Sequence, residues 1–512
     1  MNALIASLRR ALPALLLTCT LPVLAPLHAA PAAATTTKDA VLLPVPNDPS
    51  VSFRLWFKVG AQDDPAGKEG LAALTAAMLT DAATRQNSYE QILDRLFPLA
   101  AGYSASPTME MTVIHGRTHK DNLEEFYPLF VDAVLNPAFK PEDLDRIKSR
   151  TLNLLETTLR FASDEELGKA VLYQEIFAGT PYGHLPAGTV AALKSITVDD
   201  IKAFYTQHYT RDNVVIGLGG GYAPALVDRL RADLAKLPAG APAVVPAPQP
   251  KPISGLRVTL VEKDATATAL SLGFPIDVLR GSKDWYALAI ANSWLGEHRN
   301  SGSHLYQVIR ETRGLNYGDY SYIEHFPNGG QRFLPPQNVA RRQQIFEIWI
   351  RPVPNEARHF ALRAALREFR QLVDGGMSAA DFETRREFLK KYVVHYATNT
   401  NERLGYAIDD AFYGLKESHL ATFRRMMDEL TVADVNAAMK RHWRYENMQI
   451  VAVTPKAAAF ADALVADAPS PITYSSPKPD AVLTEDKVIS TYPLKISREN
   501  IRIVPVTELF AK

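Results

Sequence analysis

The feature that most constrains the fold is an internal duplication. The segment that begins at Thr197 reads TVDDIKAFYTQHYTRDNVVIGLGG, and the one that begins at Thr431 reads TVADVNAAMKRHWRYENMQIVAVT. Each predicts a helix with a threonine N-cap, then a turn and a buried strand. The offset of 234 residues, from Thr197 to Thr431, also carries Asn213 onto Asn447. Two copies of so long a unit predict two homologous halves rather than a short-period solenoid.

A proline-rich stretch separates the two copies. Residues 238–252 contain six prolines, which is typical of a stiff, extended linker. We therefore expect an N-terminal half at 38–237, a linker at 238–254, a C-terminal half at 255–468 and a C-terminal extension at 469–512. The extension ends in an alternating segment, which is interpreted either as an edge strand or as a docking element for a partner.

The order of the predicted elements favours an α+β fold. Residues 51–60 and 109–116 alternate apolar and polar side chains, as half-buried strands do. Residues 70–79, 122–135 and 144–160 have the composition and period of helices. Strands mixed with helix pairs, rather than strict βαβ alternation, predict a mixed sheet with helices packed on it in each half.

Composition excludes several classes of function. The 512 residues include 56 Lys and Arg and 56 Asp and Glu, so no basic excess favours nucleic acid as a partner. Apolar residues make up 47% of the chain, which indicates a globular protein. The one cysteine, Cys19, rules out a disulfide framework and a cysteine-ligated metal site.

The first thirty residues predict an export signal. Arg9 and Arg10 precede an apolar run, and small residues follow at Ala29 and Ala30. The run is too short and too proline-broken for a membrane span, and no later apolar run reaches about 18 residues. We expect residues 1–30 to be a signal peptide, and the remainder to be periplasmic without stable membrane insertion. A lipoprotein signal fits less well, because a threonine precedes Cys19.

Four segments carry a resemblance to a known family. VGAQDDPAGKEGLAALTAAML at 59–79 resembles the opening of an insulinase/pitrilysin-type zinc peptidase, as do NPAF at 136–139, PYGHLPAGT at 181–189 and LYQVIRETRGLNYG at 305–318. The resemblance covers roughly residues 40–460. It implies two homologous halves, each of two α+β modules, that close like a clam around a peptide chamber.

The family's metal motif is absent. H-x-x-E-H on a helix places two histidines on one face to bind zinc, with a glutamate that activates water. The matching window here is Ala73-Leu74-Thr75-Ala76-Ala77, and alanine offers neither a lone pair nor a proton acceptor. Glu156 stands about where the resemblance places the third ligand, and a solvated helix carboxylate is the simpler interpretation. We expect no zinc and no other cofactor in this chain.

Other histidines offer no clear replacement. His115 and His119 have a metal-like spacing, but the pattern places them across a strand end and a turn. His298 and His304 are six residues apart with a glycine between them. Residues 333–353 combine a Pro-Pro loop with an apolar strand, and are interpreted either as a peptide-binding surface or as a loop and a core strand.

A second motif is retained. In the family, an Arg and a Tyr seven residues apart lie in the second half and face the zinc. The resemblance implies that the Arg holds a substrate carbonyl and that the Tyr hydroxyl stabilises the oxyanion. This chain has Arg310 and Tyr317, and a preorganised donor and a permanent guanidinium suit these roles. Alternatively, Arg310 makes a local salt bridge and Tyr317 is a core aromatic.

Three hypotheses follow. Some family members are heterodimers in which one subunit carries H-x-x-E-H and the other carries the Arg/Tyr pair, and the chain resembles the second type. It would be a pseudoenzyme alone and would serve proteolysis in a complex with a zinc-bearing subunit and a peptide substrate. The second hypothesis is a catalytically silent peptide-binding or assembly module of the same fold. The third is an enzyme with an unrelated site.

Overall fold

The computed structural model describes residues 33–512, so the predicted signal peptide at 1–30 lies outside the described residues. Within these described residues there are twelve strands: β1 (Thr35–Thr36), β2 (Ala40–Pro44), β3 (Ser50–Phe57), β4 (Gly102–Pro107), β5 (Thr112–His119), β6 (Val214–Gly220), β7 (Leu256–Glu262), β8 (Ala267–Ile276), β9 (Asp319–Tyr322), β10 (Gln344–Pro354), β11 (Met448–Thr454) and β12 (Ile501–Pro505).

Sixteen α-helices belong to the described part of the chain. They are α1 (Leu71–Thr80), α2 (Tyr89–Leu96), α3 (Leu123–Leu135), α4 (Pro141–Asn153), α5 (Asp164–Ile176), α6 (Val190–Ser195), α7 (Val198–His208), α8 (Ala225–Leu234), α9 (Lys283–Gly296), α10 (Arg358–Gly375), α11 (Ala379–Tyr392), α12 (Thr400–Phe412), α13 (His419–Glu429), α14 (Val432–His442), α15 (Ala457–Val465) and α16 (Asp480–Ser490). Within residues 33–512, no helix is both long and apolar enough to cross a membrane.

The duplication is visible in the two sheets. Their strand orders are β1-β2-β6-β3-β5-β4 and β12-β7-β11-β8-β10-β9. The parallel pair β2-β6 of the first sheet corresponds to β7-β11 of the second, and the next two neighbours are antiparallel in both. The predicted α+β fold with two homologous halves is therefore confirmed.

The repeated helix–turn–strand unit forms for the same local reason in both halves. Thr197 accepts a hydrogen bond from the amide of Asp200, and the Asp200 side chain bonds back to the Thr197 amide. Thr431 and Asp434 make the same reciprocal cap at the start of α14. Such capping boxes satisfy two of the free amides that every helix start leaves.

The bounds of one helix and one strand differ clearly from the prediction. The helix expected at 144–160 starts at Pro141 and runs as α4 to Asn153, where it widens into a π-helical segment, Leu154–Ala162. A π-helix differs from an α-helix in its i→i+5 backbone hydrogen bonds, and a segment of nine residues is too short for its sequence pattern to show the change. The strand expected at 109–116 begins at Thr112 because residues 108–111 form the turn from β4.

One helix of each half packs on the sheet of the other half. α5 of the first half packs on β8 and β11, and α12 of the second half packs on β2, β3 and β6. Gly217 on β6 allows this approach, because a Cβ there would come within 2.7 Å of Ile408 on α12. The buried ion pair between Lys169 on α5 and Glu347 on β10, at 3.2 Å, also joins the halves. Each half keeps its own main core, and two smaller apolar clusters together with this ion pair lie between the halves.

The C-terminal extension completes the second sheet. β12 pairs in parallel with β7 at the sheet's edge. Near the end of the extension, the carbonyl of Phe510 accepts a hydrogen bond from the backbone amide of Val190, which belongs to the first half. The extension thus runs from one half to the other.

Candidate functional site

Helix α1 stands where the metal motif would be. Its N-terminus is capped by Asp64, whose carboxylate accepts hydrogen bonds from the amides of Gly70 and Ala72, both at 2.7 Å. Ala73 and Ala77 are partly exposed and lie one turn apart on one face, whereas Ala76 is fully buried. Alanine is the strongest helix former, so the helix persists without the ligands it would carry.

Glu156 forms a local ion pair. It lies in the π-helical segment, is partly exposed, and has Lys194 as an ion-pair partner at 3.9 Å. Across residues 33–512, no group of three or more His, Cys, Asp or Glu side chains is arranged to hold a metal ion. The structure thus places Glu156 on the surface as a solvated carboxylate.

The histidine pairs have other contacts. His115 and His119 both lie within β5, so the prediction that they span a strand end and a turn is wrong. Four residues along a strand span about 13 Å, which is too far for two ligands of one ion. His298 hydrogen-bonds through both ring nitrogens, and His304 bonds a carboxylate at 2.7 Å. These side chains are explained by packing and hydrogen bonding.

Arg310 lies in a π-helical turn, Tyr306–Glu311, that precedes β9. Its guanidinium lies over the ring of Tyr306, 5.1 Å from the centroid, and pairs with the neighbouring Glu311. About 36% of the side chain is exposed. The local salt bridge that is one alternative for Arg310 is therefore present, and the side chain is also partly accessible to solvent.

Tyr317 projects from the loop that follows. It is 78% exposed, so the core-aromatic alternative is wrong for this residue. The loop is held beneath it by Asn316, which donates to Asp319 at 2.7 Å and accepts from the amide of Gly318. Gly318 has a φ of 148°, and a Cβ there would collide with the hydroxyl of Tyr320. The residues on both sides of Tyr317 therefore have a fixed backbone, and its exposed side chain makes no hydrogen bond within the described chain.

Arg313 is a positioning residue that sequence reasoning missed. It lies between Arg310 and Tyr317 in the sequence, and its side chain is buried. Its guanidinium donates to Asp486 at 2.8 Å and to Glu485 at 2.9 Å, both on α16. It also donates to the carbonyl of Val308 in the π-helical turn. The C-terminal extension thus holds the Arg/Tyr segment in place. No sequence signal identifies this link, because the partners are more than 170 residues apart.

Arg313→Met should destabilise the protein strongly. The substitution removes the cation and leaves Asp486 buried without its partner, which typically costs about 3–5 kcal/mol of unfolding free energy. Urea unfolding followed by circular dichroism measures the loss. As a control, Arg370→Met removes the exposed pair with Asp374 and should cost less than about 1 kcal/mol. Equal small losses in both variants would show that α16 does not hold this segment.

Comparison with known proteins agrees with this organisation. Residues 40–180 match the family model described as insulinase (peptidase family M16). Residues 195–389 match the model described as peptidase M16 inactive domain. The first match lies within the N-terminal half, whereas the second begins at residue 195 of that half, crosses the linker and continues to residue 389 of the C-terminal half. Both halves therefore contain residues that match models of one family.

Individual relatives give the same assignment. An uncharacterized zinc protease of Mycobacterium tuberculosis is 27% identical over 284 residues, which cover 55% of this chain and 64% of the relative. The non-peptidase homolog YmxG of Helicobacter pylori is 21% identical over 413 residues, covering 79% of this chain and 89% of the relative. A solved structure, the peptidase M16 inactive domain from Pseudomonas fluorescens, superposes with a TM-score of 0.72 at 26% identity, over 83% of this chain and 98% of that chain. The chain thus spans 64% of the mycobacterial relative's length and nearly all of the Pseudomonas domain. It belongs to the insulinase family, peptidase family M16.

Proposed function

We propose that this chain is the non-zinc-binding subunit of a periplasmic insulinase-like peptidase. In this proposal a partner subunit carries H-x-x-E-H and the zinc, and this chain supplies Arg310 and Tyr317 in trans. Alone, the chain is a pseudoenzyme. The export pattern of residues 1–30 supports a periplasmic location.

The contrast between α1 and Tyr317 carries the proposal. α1 keeps its cap and its fold with alanine at all three motif positions, whereas Tyr317 is 78% exposed on a loop built to hold it outward. An exposed aromatic is typical of contact surfaces, where its apolar ring becomes buried and its hydroxyl finds a partner. A donor held in advance suits an oxyanion that forms during hydrolysis.

Arg310 fits a binding role beside it. A guanidinium is a permanent donor with a fixed fork geometry, which suits a substrate carbonyl. The ring of Tyr306 beneath it leaves part of the guanidinium accessible. The contact with Glu311 is local and partly exposed, so it is weak enough for a substrate to replace.

The first sheet offers a surface for an extended peptide. β4 is one of its two edge strands and lies against α1. Edge strands have unpaired backbone groups, and extended peptides bind by adding to such edges. This feature supports peptide contact near the position that the metal motif occupies in active members.

The second candidate is a catalytically silent peptide-binding or assembly module. The ion pair of Arg310 with Glu311 favours it, because the guanidinium then has a partner without any substrate. The name of the Helicobacter relative, a non-peptidase homolog, is compatible with both candidates. The two candidate functions differ in whether a zinc-bearing partner subunit exists.

Co-expression with an H-x-x-E-H insulinase-like protein of the same organism tests the proposal. We expect a stable pair that holds about one zinc and cleaves peptides, whereas this chain alone holds none and is inactive. A pair in which the partner's motif glutamate is changed to glutamine should assemble normally and lose cleavage. If this chain forms no pair but binds peptides, the silent module is correct. If it cleaves peptides unaided, both candidates are wrong.

A further inference from the structure

One loop is much longer in the second half than in the first. β4 and β5 are joined by residues 108–111, whereas β9 and β10, at the equivalent place in the second sheet, are joined by residues 323–343. The longer loop crosses to the first half, where Arg342 pairs with the buried Glu110. It encloses a cavity of about 330 Å³ between the halves.

The walls of this junction cavity include two arginines, which supply its positive charge. Arg332, Arg341, His184 and His325 are among its lining residues, and no Asp or Glu lines it within the described residues. Met109 and other apolar side chains form the rest of the wall. A cavity with apolar walls and a few polar groups of one sign is typical of a site for a small charged ligand.

Arg341 is the most unusual of these residues. It is only 3% exposed, and its guanidinium lies among the rings of Tyr173, Phe177 and Tyr182, at 5.2 to 5.7 Å. Its Nε donates to Gln344 at 3.2 Å, but its buried Nη2 has no hydrogen-bond partner. No carboxylate of residues 33–512 forms an ion pair with it. Buried cations are normally paired, so this one lacks an expected anion.

The neighbouring carboxylates do not fill that place. Glu347 pairs with Lys169 at 3.2 Å and accepts from the hydroxyl of Tyr173 at 2.6 Å. Glu110 pairs with Arg342 and accepts from a tyrosine hydroxyl. Each of these two acids therefore already has its own cation. Arg341 is left as a third cation with no acid of its own.

His325 adds a second polar group to the same cavity. Its ring packs on Tyr173 with the centroids 4.8 Å apart, and its Nδ1 has no hydrogen-bond partner. Burial lowers the pKa of His325 well below its usual value, and the nearby Arg341 and Lys169 lower it further. The imidazole is therefore neutral and offers one N–H donor and one acceptor.

We propose that the junction cavity binds an organic carboxylate. Its oxygens accept hydrogen bonds from the Arg341 guanidinium, whose geometry matches a carboxylate, with His325 as a second donor. The apolar wall around Met109 contacts the body of the ligand. Exposed Asn328 and Arg332 are among the lining residues, so the cavity is reachable from solvent. The ligand is either a free acid or the C-terminal carboxylate of a peptide.

This site is independent of Arg310 and Tyr317 and needs no partner chain, so the purified chain is enough to test it. Isothermal titration with hippurate, an acylated amino acid, is compared with its neutral amide, hippuramide. We expect saturable binding of hippurate and at least tenfold weaker binding of hippuramide. A peptide with a free C-terminus that binds more tightly than its amidated form and than hippurate would identify the peptide source. Hippurate binding without peptide binding would identify a free acid.

Variants separate a binding role from a structural one. Arg341→Met should weaken hippurate binding at least tenfold without lowering the melting temperature, because it removes an unpaired buried cation. Arg358→Met is the matched control, since Arg358 is a half-buried arginine over Phe460, remote from the cavity, and should leave binding unchanged. Leu185→Trp should fill the cavity with a larger side chain and block hippurate binding, while the Arg341 guanidinium stays unchanged. Equal binding of hippurate and hippuramide, or no binding of any carboxylate by the unmodified chain, would overturn the proposal.

Discussion

Tyr317→Phe is expected to lower the kcat of peptide cleavage by the two-chain complex at least about tenfold, while zinc content and assembly stay unchanged. Removal of one oxyanion donor typically costs about 10²–10³ in kcat. The substitution deletes only the hydroxyl, and that hydroxyl makes no hydrogen bond inside the described chain, so folding should not suffer. Steady-state kinetics with a quenched peptide measures the effect, and gel filtration with metal analysis checks the complex.

The control for this prediction is Tyr306→Phe. Tyr306 is partly buried and its ring supports Arg310, so the phenylalanine keeps that contact and should change kcat less than about twofold. If Tyr317→Phe also leaves kcat unchanged, Tyr317 is not the oxyanion donor. If it disrupts assembly instead, the exposed ring is part of the subunit interface and the catalytic role is unsupported.

The duplicated architecture could be predicted because its signals are local. Thr197 with Asp200, and Thr431 with Asp434, lie three residues apart and specify a helix start directly. The strands that follow are apolar runs of standard length, and they begin 234 residues apart, at Val214 and Met448. The exposed position of Tyr317 was not predictable, because a tyrosine before a strand is equally common in a core.

Other features depend on partners far away in the sequence. Arg313 pairs with α16, more than 170 residues away, and α5 and α12 pack on each other's sheets. Residues 333–353 are a loop followed by the buried strand β10, which confirms that interpretation of the segment. Several residues of the loop, though not its two prolines, line a cavity between the halves. Periodicity describes which face of an element is apolar, but not which distant element covers it.

Introducing histidine at both open motif positions should create a zinc site. Ala73 and Ala77 are partly exposed and one turn apart on α1, so Ala73→His/Ala77→His places two imidazoles on one face, as the family motif does. We expect the double variant to bind about one zinc, at least tenfold more tightly than Ala73→His alone, and the unmodified chain to bind none at this site. Competition with a chromophoric chelator measures the affinity. Zinc at 100 times its Kd should raise the unfolding free energy by about 2.7 kcal/mol.

Zinc alone should not restore cleavage in that variant. The position that would hold the general base is still alanine, Ala76, and lacks a carboxylate. Ala76 is also fully buried. Adding Ala76→Glu would place that carboxylate in an apolar core, where an unpaired charge is costly. If the double variant binds no zinc, the open face of α1 is not a metal face and the alignment of the motif is wrong. If it binds zinc and remains inactive, the scaffold has kept the place for the metal, and its chemistry was lost through side chains alone.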